Sequence, residues 1–295
     1  MTLVMLAAGL GSRFGGDKQI SHVGPQGQML MEYTAYDAIR AGFDHIVFIL
    51  KEEMVDTVRR ELGNRIARVA RVSYAVQDYA SLPTWYTVPD GRTKPFGTVH
   101  ALLCAAEDID PEDCFATVNA DDYYGPEAYQ RMAQLLRSLP ERGEAGMVTY
   151  RLGNTLSLNG GVTRGLCCTE GGLLQSICET RNITVTPDGT PTADGELLDP
   201  EVPVSMNFWG YRANFLPRIS TYFHDFLRGL APDEQKAECL LPVMAGDLLS
   251  AGELSLHVDT TSAHWFGMTY REDKQAVSDA LAALHCEGVY PPTLF

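Results

Sequence analysis

The most constraining feature of the sequence is a short apolar segment that runs directly into a glycine-rich loop. The segment, residues 3–8, carries only apolar side chains, which is typical of a strand buried on both faces of a parallel sheet. The loop contains Gly9 and Gly11 and leads to two cations, Arg13 and Lys18. Glycines allow backbone N–H groups to line the inside of a bend, and the cations add full charges there. The segment therefore predicts a polyphosphate site at the carboxyl end of the first strand.

This loop matches neither of two common phosphate-binding motifs. A dinucleotide-binding loop needs a third glycine three residues after the second, and a P-loop needs Gly-Lys followed by Ser or Thr. The loop contains neither pattern. Its chemistry has to be derived from its own residues.

Strand-like and helix-like segments alternate through the first half of the chain, which favours a doubly wound α/β sheet. The predicted strands there are 3–8, 45–50, 69–76 and 114–119, and the predicted helices are 32–41, 53–62, 99–106 and one beginning at Pro126. From about residue 145 strands predominate, at 145–150, 162–169, 173–179, 204–212 and 254–258, with helices at 215–230, 238–249 and 271–285. We expect an α/β fold, a Rossmann-like doubly wound mixed sheet with extra β elements in the second half, forming one domain over residues 1–295.

Composition narrows the possible partners. The chain of 295 residues has 38 acidic and 23 basic residues, a formal net charge of −15. Nucleic acids and anionic membranes both need clustered Lys and Arg, so neither is expected as a partner. The amino-terminal apolar segment is too short to span a membrane and lacks the basic residues of an export signal. A cytoplasmic location is therefore expected.

The glycine loop closely resembles that of a known enzyme family. Residues 6–13 read LAAGLGSR, with a lysine five residues later, similar to the L-A-A-G-x-G-[ST]-R signature of the sugar-1-phosphate nucleotidylyltransferases. The resemblance implies a nucleotide-diphospho-sugar transferase type of fold, with residues 1–145 binding the nucleotide and 146–295 the sugar. It implies that Arg13 and Lys18 act catalytically on the phosphates. The loop residues implied to bind the nucleotide are Leu6, Ala8, Gly9, Gly11, Ser12, Arg13 and Lys18.

Three further residues resemble the part of the family that binds the nucleobase. These are Gln77, Gly97 and Thr98, separated here by a long segment over 78–95. A glutamine amide and a glycine backbone offer both a donor and an acceptor to an imide such as uracil, which favours UTP or dTTP. We expect Thr98 to be the N-cap of the helix that follows it.

Two adjacent carboxylates, Asp121 and Asp122, follow the predicted strand 114–119, at the edge where open α/β sheets bind ligands. They resemble the Mg²⁺ motif of the family, and Asp121 matches the metal-binding, catalytic aspartate best. Neighbouring residues on an extended chain point to opposite sides, so only one is expected to face the metal. For the second ligand Asp259, at the end of a predicted strand, is favoured over Asp273, because a helix dipole alone explains an acid there. Mg²⁺ is the implied cofactor.

The second half resembles the sugar-binding half of the family. The implied sugar contacts are Gly161 in a glycine turn, Glu179 on a strand and Asn207 on a later strand. Many members have a lysine for the sugar phosphate directly after the glutamate. Here Thr180 occupies that position, and Arg181 is expected to substitute.

The resemblance implies a transfer between a nucleoside triphosphate and a sugar 1-phosphate that yields a nucleotide-sugar and pyrophosphate. One alternative is a cytidylyltransferase acting on a polyol phosphate, because Lys18-Gln19 after a glycine loop also resembles those enzymes. Another is a nucleotide sensor without catalysis. Retention of Arg13, Lys18 and Asp121 together favours an enzyme, since a binding module could dispense with the metal acid.

Overall fold

One large sheet forms the centre of the fold. The computed structural model describes residues 1–9, 21–140, 143–157, 160–268 and 273–295. The strands within these residues are β1 (Thr2–Leu6), β2 (His45–Leu50), β3 (Arg71–Val76), β4 (Cys114–Asn119), β5 (Asp122–Tyr123), β6 (Glu144–Arg151), β7 (Val162–Glu170), β8 (Leu173–Val185), β9 (Pro191–Ala193), β10 (Glu196–Leu197), β11 (Pro203–Arg212), β12 (Ser255–Thr261) and β13 (Phe266–Gly267). Eleven of the described strands form one sheet in the order β10-β9-β8-β12-β6-β11-β4-β1-β2-β3, with β7 paired to β11 and β8.

Helices cover both faces of this sheet. In the described residues they are α1 (Leu30–Ala41), α2 (Glu52–Val58), α3 (Asn64–Ile66), α4 (Thr98–Cys104), α5 (Pro126–Ser138), α6 (Leu216–Arg228), α7 (Leu241–Ser250) and α8 (Asp273–Cys286). One apolar core lies between the sheet and α1, α2 and α5, and a second core lies between the sheet and α4, α6 and α7. The predicted doubly wound α/β architecture is confirmed.

The first half forms a parallel sheet at nearly the predicted residues. Strands β4, β1, β2 and β3 are all parallel neighbours. Both β2 and β4 begin and end at the predicted residues, because their apolar side chains are buried on both faces. The predicted helix 53–62 is correct in place, although its last turn widens into a π-helical segment, Arg59–Gly63.

The second half continues the same sheet with mixed strand directions. Strand β11 runs antiparallel to both β4 and β6, and β12 runs parallel to β6. The antiparallel hairpin β7–β8 extends one end of the sheet. The small sheet of β5 and β13 and the short pair β9–β10 were not expected from the sequence.

Strand β11 contains a bulge that matters for the site. Its pairing with β6 shifts between Ser205 and Trp209. Within this interval Asn207 adopts a φ of 60°, a left-handed conformation that asparagine tolerates better than most residues. We refer to residues 205–209 as the β11 bulge.

Among the described residues, none of the helices combines the length and apolarity needed to cross a membrane.

Candidate active site

The carboxyl ends of the parallel strands bring the predicted nucleotide residues to one edge of the sheet. The backbone N–H of Ala120, just after β4, donates to the carbonyl of Leu6 at the end of β1 over 3.1 Å. The backbone N–H of Gln77, just after β3, donates to the carbonyl of Leu50 at the end of β2 over 2.9 Å. This edge is where ligands bind in open α/β sheets.

Part of the glycine loop is placed at the same edge. Ala8 is buried in the core beneath the sheet end, and Gly9 is exposed. The remaining loop residues with predicted roles, Gly11, Ser12, Arg13 and Lys18, lie outside the described residues. Their roles stay predictions.

The predicted nucleobase residues are in direct contact. The Gln77 amide donates from Nε2 to the carbonyl oxygen of Gly97 over 3.0 Å. Gly97 has a φ of 89° and a ψ of −170°, a region that only glycine adopts readily. The contact also fixes the orientation of the amide, so Oε1 of Gln77 remains as an acceptor.

The expected N-cap role of Thr98 is wrong. Helix α4 begins at Thr98, and its N-cap is Gly97. The Thr98 hydroxyl instead accepts a hydrogen bond of 2.9 Å from the backbone N–H of Leu241, in the first turn of α7. Thr98 therefore satisfies an N–H of a different helix, 143 residues along the chain.

We predict that Gly97→Ala destabilises the protein and weakens nucleotide binding. A Cβ at this position would lie 2.5 Å from the carbonyl oxygen of Cys239 and 2.9 Å from its nitrogen. The positive φ alone costs an L-residue about 1–3 kcal/mol, and the backbone clash adds to it. Gly91→Ala is the matched control, because Gly91 has a φ of 80° and open space around it. Urea unfolding and calorimetric nucleotide titration measure both effects, and equal losses in the two variants would contradict the prediction.

The two adjacent aspartates occupy different environments in the acid loop, residues 119–122. Asp122 is buried at 9% exposure, and its Oδ2 accepts a bond of 2.9 Å from Asn119 Nδ2. It also begins β5, where it pairs with Gly267 of β13. Asp121 precedes this strand and is half-buried. This arrangement fits a buried Asp122 that orients the loop and an Asp121 that would hold a metal.

The second predicted metal ligand is engaged elsewhere. Asp259 Oδ1 forms an ion pair of 2.7 Å with Arg131 on α5, and β12 lies three strands from β4, roughly 14 Å across the sheet. Met268, just after β13, is nearer to Asp121, because its backbone N–H donates to the Asp121 carbonyl over 3.1 Å. Asp259 as a ligand stays a prediction without structural support.

The donor atoms near Asp121 are of the chemical type that Mg²⁺ prefers. Magnesium prefers oxygen ligands and usually takes one or two carboxylates together with water and phosphate oxygens. No group of three or more His, Cys, Asp or Glu side chains suited to a metal occurs within the described ranges. Asp121 would supply one such carboxylate to a Mg²⁺ ion.

The hairpin β7–β8 carries Glu179 and Arg181, two of the predicted sugar-binding residues. Glu179 lies directly opposite Gly165, which also pairs with Ser205 of β11. Gly161 is exposed before the start of β7. A Cβ on Gly165 would lie 2.8 Å from Ile177 Cγ2, so the glycine permits close strand contact. The role of Gly161 stays a prediction, and the pairing of Gly165 with Glu179 could be recognised only from the strand register.

Glu179 and Arg181 contact each other on the hairpin surface. Arg181 donates from Nε to Glu179 Oε1 over 2.8 Å. The Glu179 side chain is 62% exposed and the Arg181 side chain is 76% exposed. Asn207 lies in the β11 bulge, beside the carboxyl end of β4, because Trp209 pairs with Thr117. The structure therefore brings Asn207 near the acid loop and leaves Glu179 and Arg181 on the adjoining hairpin.

A half-buried arginine near the acid loop was also missed. Arg164 donates from Nε to Thr155 Oγ1 over 3.1 Å and from Nη1 to the Thr163 carbonyl over 2.9 Å. Its guanidinium carbon lies 4.8 Å from the centre of the Trp265 ring. Burial lowers the pKa of Arg164 to about 10, and the charge of Asp122 opposes this shift. Arg164 therefore provides positive charge on the side of the acid loop that faces the hairpin β7–β8.

Two solved structures resemble the fold over nearly the whole chain. One is a Bacillus anthracis protein provisionally assigned as a glucose-1-phosphate thymidylyltransferase and solved in complex with sucrose, with 14% sequence identity, a TM-score of 0.61 and 96% of each chain covered. The other is the inositol-1-phosphate CTP transferase from T. maritima, with 11% identity, a TM-score of 0.62 and 95% of each chain covered. These likenesses confirm the predicted nucleotide-diphospho-sugar transferase type of fold.

The family is established by the sequence itself. A search of curated protein sequences gave no match. Residues 3–158, just over half of the chain, match the family model of the MobA-like NTP transferase domain. The matched span contains the glycine loop, the pair Gln77 and Gly97, and the acid loop. The chain belongs to the family of nucleotidyltransferases that carry the MobA-like NTP transferase domain.

Proposed function

We propose that this protein joins a nucleoside triphosphate, with UTP or dTTP favoured, to a sugar 1-phosphate and releases pyrophosphate. The observation that supports this most is the convergence of the two halves at one edge. Gln77 and Gly97 lie at the end of β3, Asp121 follows β4, and the β11 bulge with Asn207 lies beside β4. In this proposal residues 1–145 bind the nucleotide and residues 146–295 bind the sugar.

The proposed reaction is an in-line displacement at phosphorus. A phosphate oxygen of the sugar 1-phosphate forms a bond to the α-phosphorus, and the bond from that phosphorus to the bridging oxygen of the leaving pyrophosphate breaks. The nucleophile is already an anion, so no general base is needed. Catalysis then depends on holding two polyanions in line and on neutralising the charge that develops on pyrophosphate.

Each group has a proposed role in this displacement. Arg13 and Lys18 contact the β- and γ-phosphates, and Arg181 contacts the sugar phosphate. Asp121 holds Mg²⁺, which when bound would neutralise phosphate charge and order the triphosphate. With Gln77 Nε2 engaged by Gly97, Oε1 accepts from the N3–H of a uracil or thymine ring.

A second candidate is transfer from CTP to a polyol phosphate. The likeness to an inositol-1-phosphate CTP transferase supports it, with a TM-score as high as that of the thymidylyltransferase. The orientation of the Gln77 amide favours uracil or thymine, because cytosine presents an acceptor at N3 where those bases present a donor.

The test is pyrophosphate release with Mg²⁺ over a substrate panel. UTP, dTTP, CTP, ATP and GTP are crossed with hexose 1-phosphates, N-acetylhexosamine 1-phosphates and inositol 1-phosphate, with Asp121→Ala as the blank. We expect release with UTP or dTTP and one class of sugar 1-phosphate, and none in the blank. Release only with CTP and inositol 1-phosphate would select the second candidate. Triphosphate binding without release from any pair would contradict both.

A further inference from the structure

We infer that Tyr124 is a positioning residue whose hydroxyl ties the acid loop to the β11 bulge and so fixes Asp121 relative to Asn207. The inference rests on the proposed function, because it concerns how the nucleotide half and the sugar half are aligned. Tyr124 is 1% exposed. It therefore acts from beneath the site and not by touching a substrate.

The hydroxyl of Tyr124 joins two backbone groups from different halves of the chain. It accepts a hydrogen bond of 3.1 Å from the backbone N–H of Asn119 and lies 3.0 Å from the carbonyl oxygen of Met206, to which it donates. The oxygen Oδ2 of Asp122 is farther away, at 3.4 Å. A phenol has a single proton to donate, so the shorter bond to Met206 is the main one.

The bond to Met206 acts at the strained residue of the bulge. The Met206 carbonyl belongs to the peptide plane that precedes Asn207, and the φ of Asn207 is measured from that plane. The pairing of β11 with β6 shifts between Ser205 and Trp209, so the ladder does not supply a regular partner there. The Tyr124 hydroxyl supplies one, and this stabilises a backbone conformation that is otherwise costly.

Tyr124 is itself held firmly. The Tyr150 hydroxyl donates to the backbone carbonyl of Tyr124 over 2.7 Å. The Tyr124 ring packs edge-on against Phe208, with 5.2 Å between ring centres, and against Tyr129 at 6.2 Å. A residue fixed at both its backbone and its ring transmits a displacement of the bulge to the acid loop.

Removing only the hydroxyl separates this role from packing. In Tyr124→Phe the ring remains, but the Asn119 N–H and the Met206 carbonyl lose their partner in a buried environment. An unsatisfied buried group is unfavourable, so the acid loop and the bulge are expected to move apart until both groups find other partners. Gln77 follows β3, which lies beyond β1 and β2 in the sheet order, and Gly97 contacts Gln77. The nucleobase contacts are therefore not expected to change.

The experiment compares Tyr124→Phe with Tyr211→Phe in the full chain. Tyr211 is equally buried, and its hydroxyl has no hydrogen-bond partner among the described residues, so it is the matched control. We expect Tyr124→Phe to lower kcat by ~10–100-fold, the usual effect of losing a partner that orients a catalytic group. We also expect a higher KM for the sugar phosphate and, in calorimetric titration without Mg²⁺, an unchanged affinity for the triphosphate.

A purely structural role gives a different pattern. Values of kcat and KM that match those of Tyr211→Phe, or a loss of triphosphate affinity in parallel with kcat, would overturn the inference. If Tyr124→Phe does not fold, Tyr150→Phe tests the link from its other end and is expected to lower kcat in the same direction by a smaller factor. No change in kcat in that variant would overturn the inference as well. A wild-type chain that releases no pyrophosphate from any pair refutes the proposed function instead.

Discussion

Asp121→Asn is expected to lower kcat for pyrophosphate release by roughly 10²–10³-fold, the scale of removing one preorganised charge-stabilising group from an active site. The carboxylate is the half-buried acid at the carboxyl end of β4, and asparagine keeps its size while removing the charge that a Mg²⁺ ion requires. The change lies in a loop position between β4 and β5. We therefore expect a small change in the free energy of unfolding.

Asp122→Asn is the matched control. We expect it to lower the free energy of unfolding more than it lowers kcat. Asp122 is buried, accepts a bond from Asn119, and its charge stabilises the charged form of Arg164. Its neutralisation weakens the acceptor for Asn119 and removes a favourable charge near the half-buried Arg164 guanidinium, which is expected to cost about 1–3 kcal/mol of unfolding free energy. For both variants, kcat is measured at saturating Mg²⁺ and the free energy of unfolding is measured in urea. If Asp122→Asn were the variant that keeps its stability and loses turnover, the two aspartates would have exchanged roles.

The sequence predicts those parts of the fold that depend on local patterns. Strands β2 and β4 match their predicted bounds because each is an apolar segment buried on both faces. Helix α1 begins two residues before its predicted start, within a turn, where boundaries depend on capping more than on periodicity. The glycine loop and the acid loop could be recognised because their residues are contiguous in the chain.

Features set by pairing between distant segments could not be predicted in this way. Gly165 lies opposite Glu179 because of the β7–β8 register, which the linear sequence does not show. Asp259 is held by Arg131, 128 residues away, and Thr98 binds the start of α7. The left-handed conformation of Asn207 arises from a bulge that forms only when β11 pairs with β6. Each of these depends on tertiary contacts that a linear pattern does not contain.

A buried carboxyl group in α1 leads to the second large prediction, which concerns pH. Asp37 is 3% exposed, and its Oδ2 accepts a bond of 2.6 Å from the Tyr290 hydroxyl, which also lies 2.9 Å from the Tyr123 hydroxyl. Oδ1 of Asp37 has no hydrogen-bond partner among the described residues. Burial raises the pKa of Asp37 from an ordinary 3.8 to about 7, while the Tyr290 hydrogen bond and the charge of Arg40 oppose the shift.

The sign of the effect follows from the raised pKa. Between about pH 4 and pH 7 the folded protein keeps a proton on Asp37 that the unfolded chain has released. The folded state therefore binds more protons, and the free energy of unfolding decreases as the pH rises through this interval. Above pH 7 both states are ionised, and Asp37 causes no further change.

Asp37→Asn isolates this contribution, because asparagine has a similar shape and does not ionise. We expect the difference in unfolding free energy between wild type and variant to shift by about 3 kcal/mol in favour of the variant from pH 5 to pH 8. Urea unfolding at several pH values measures the difference, in which other ionisable groups cancel. Tyr290→Phe removes a hydrogen bond that lowers the pKa of Asp37, so it should move the interval to higher pH. A pH-independent difference between wild type and Asp37→Asn would show that Asp37 ionises in the folded protein at its ordinary pKa.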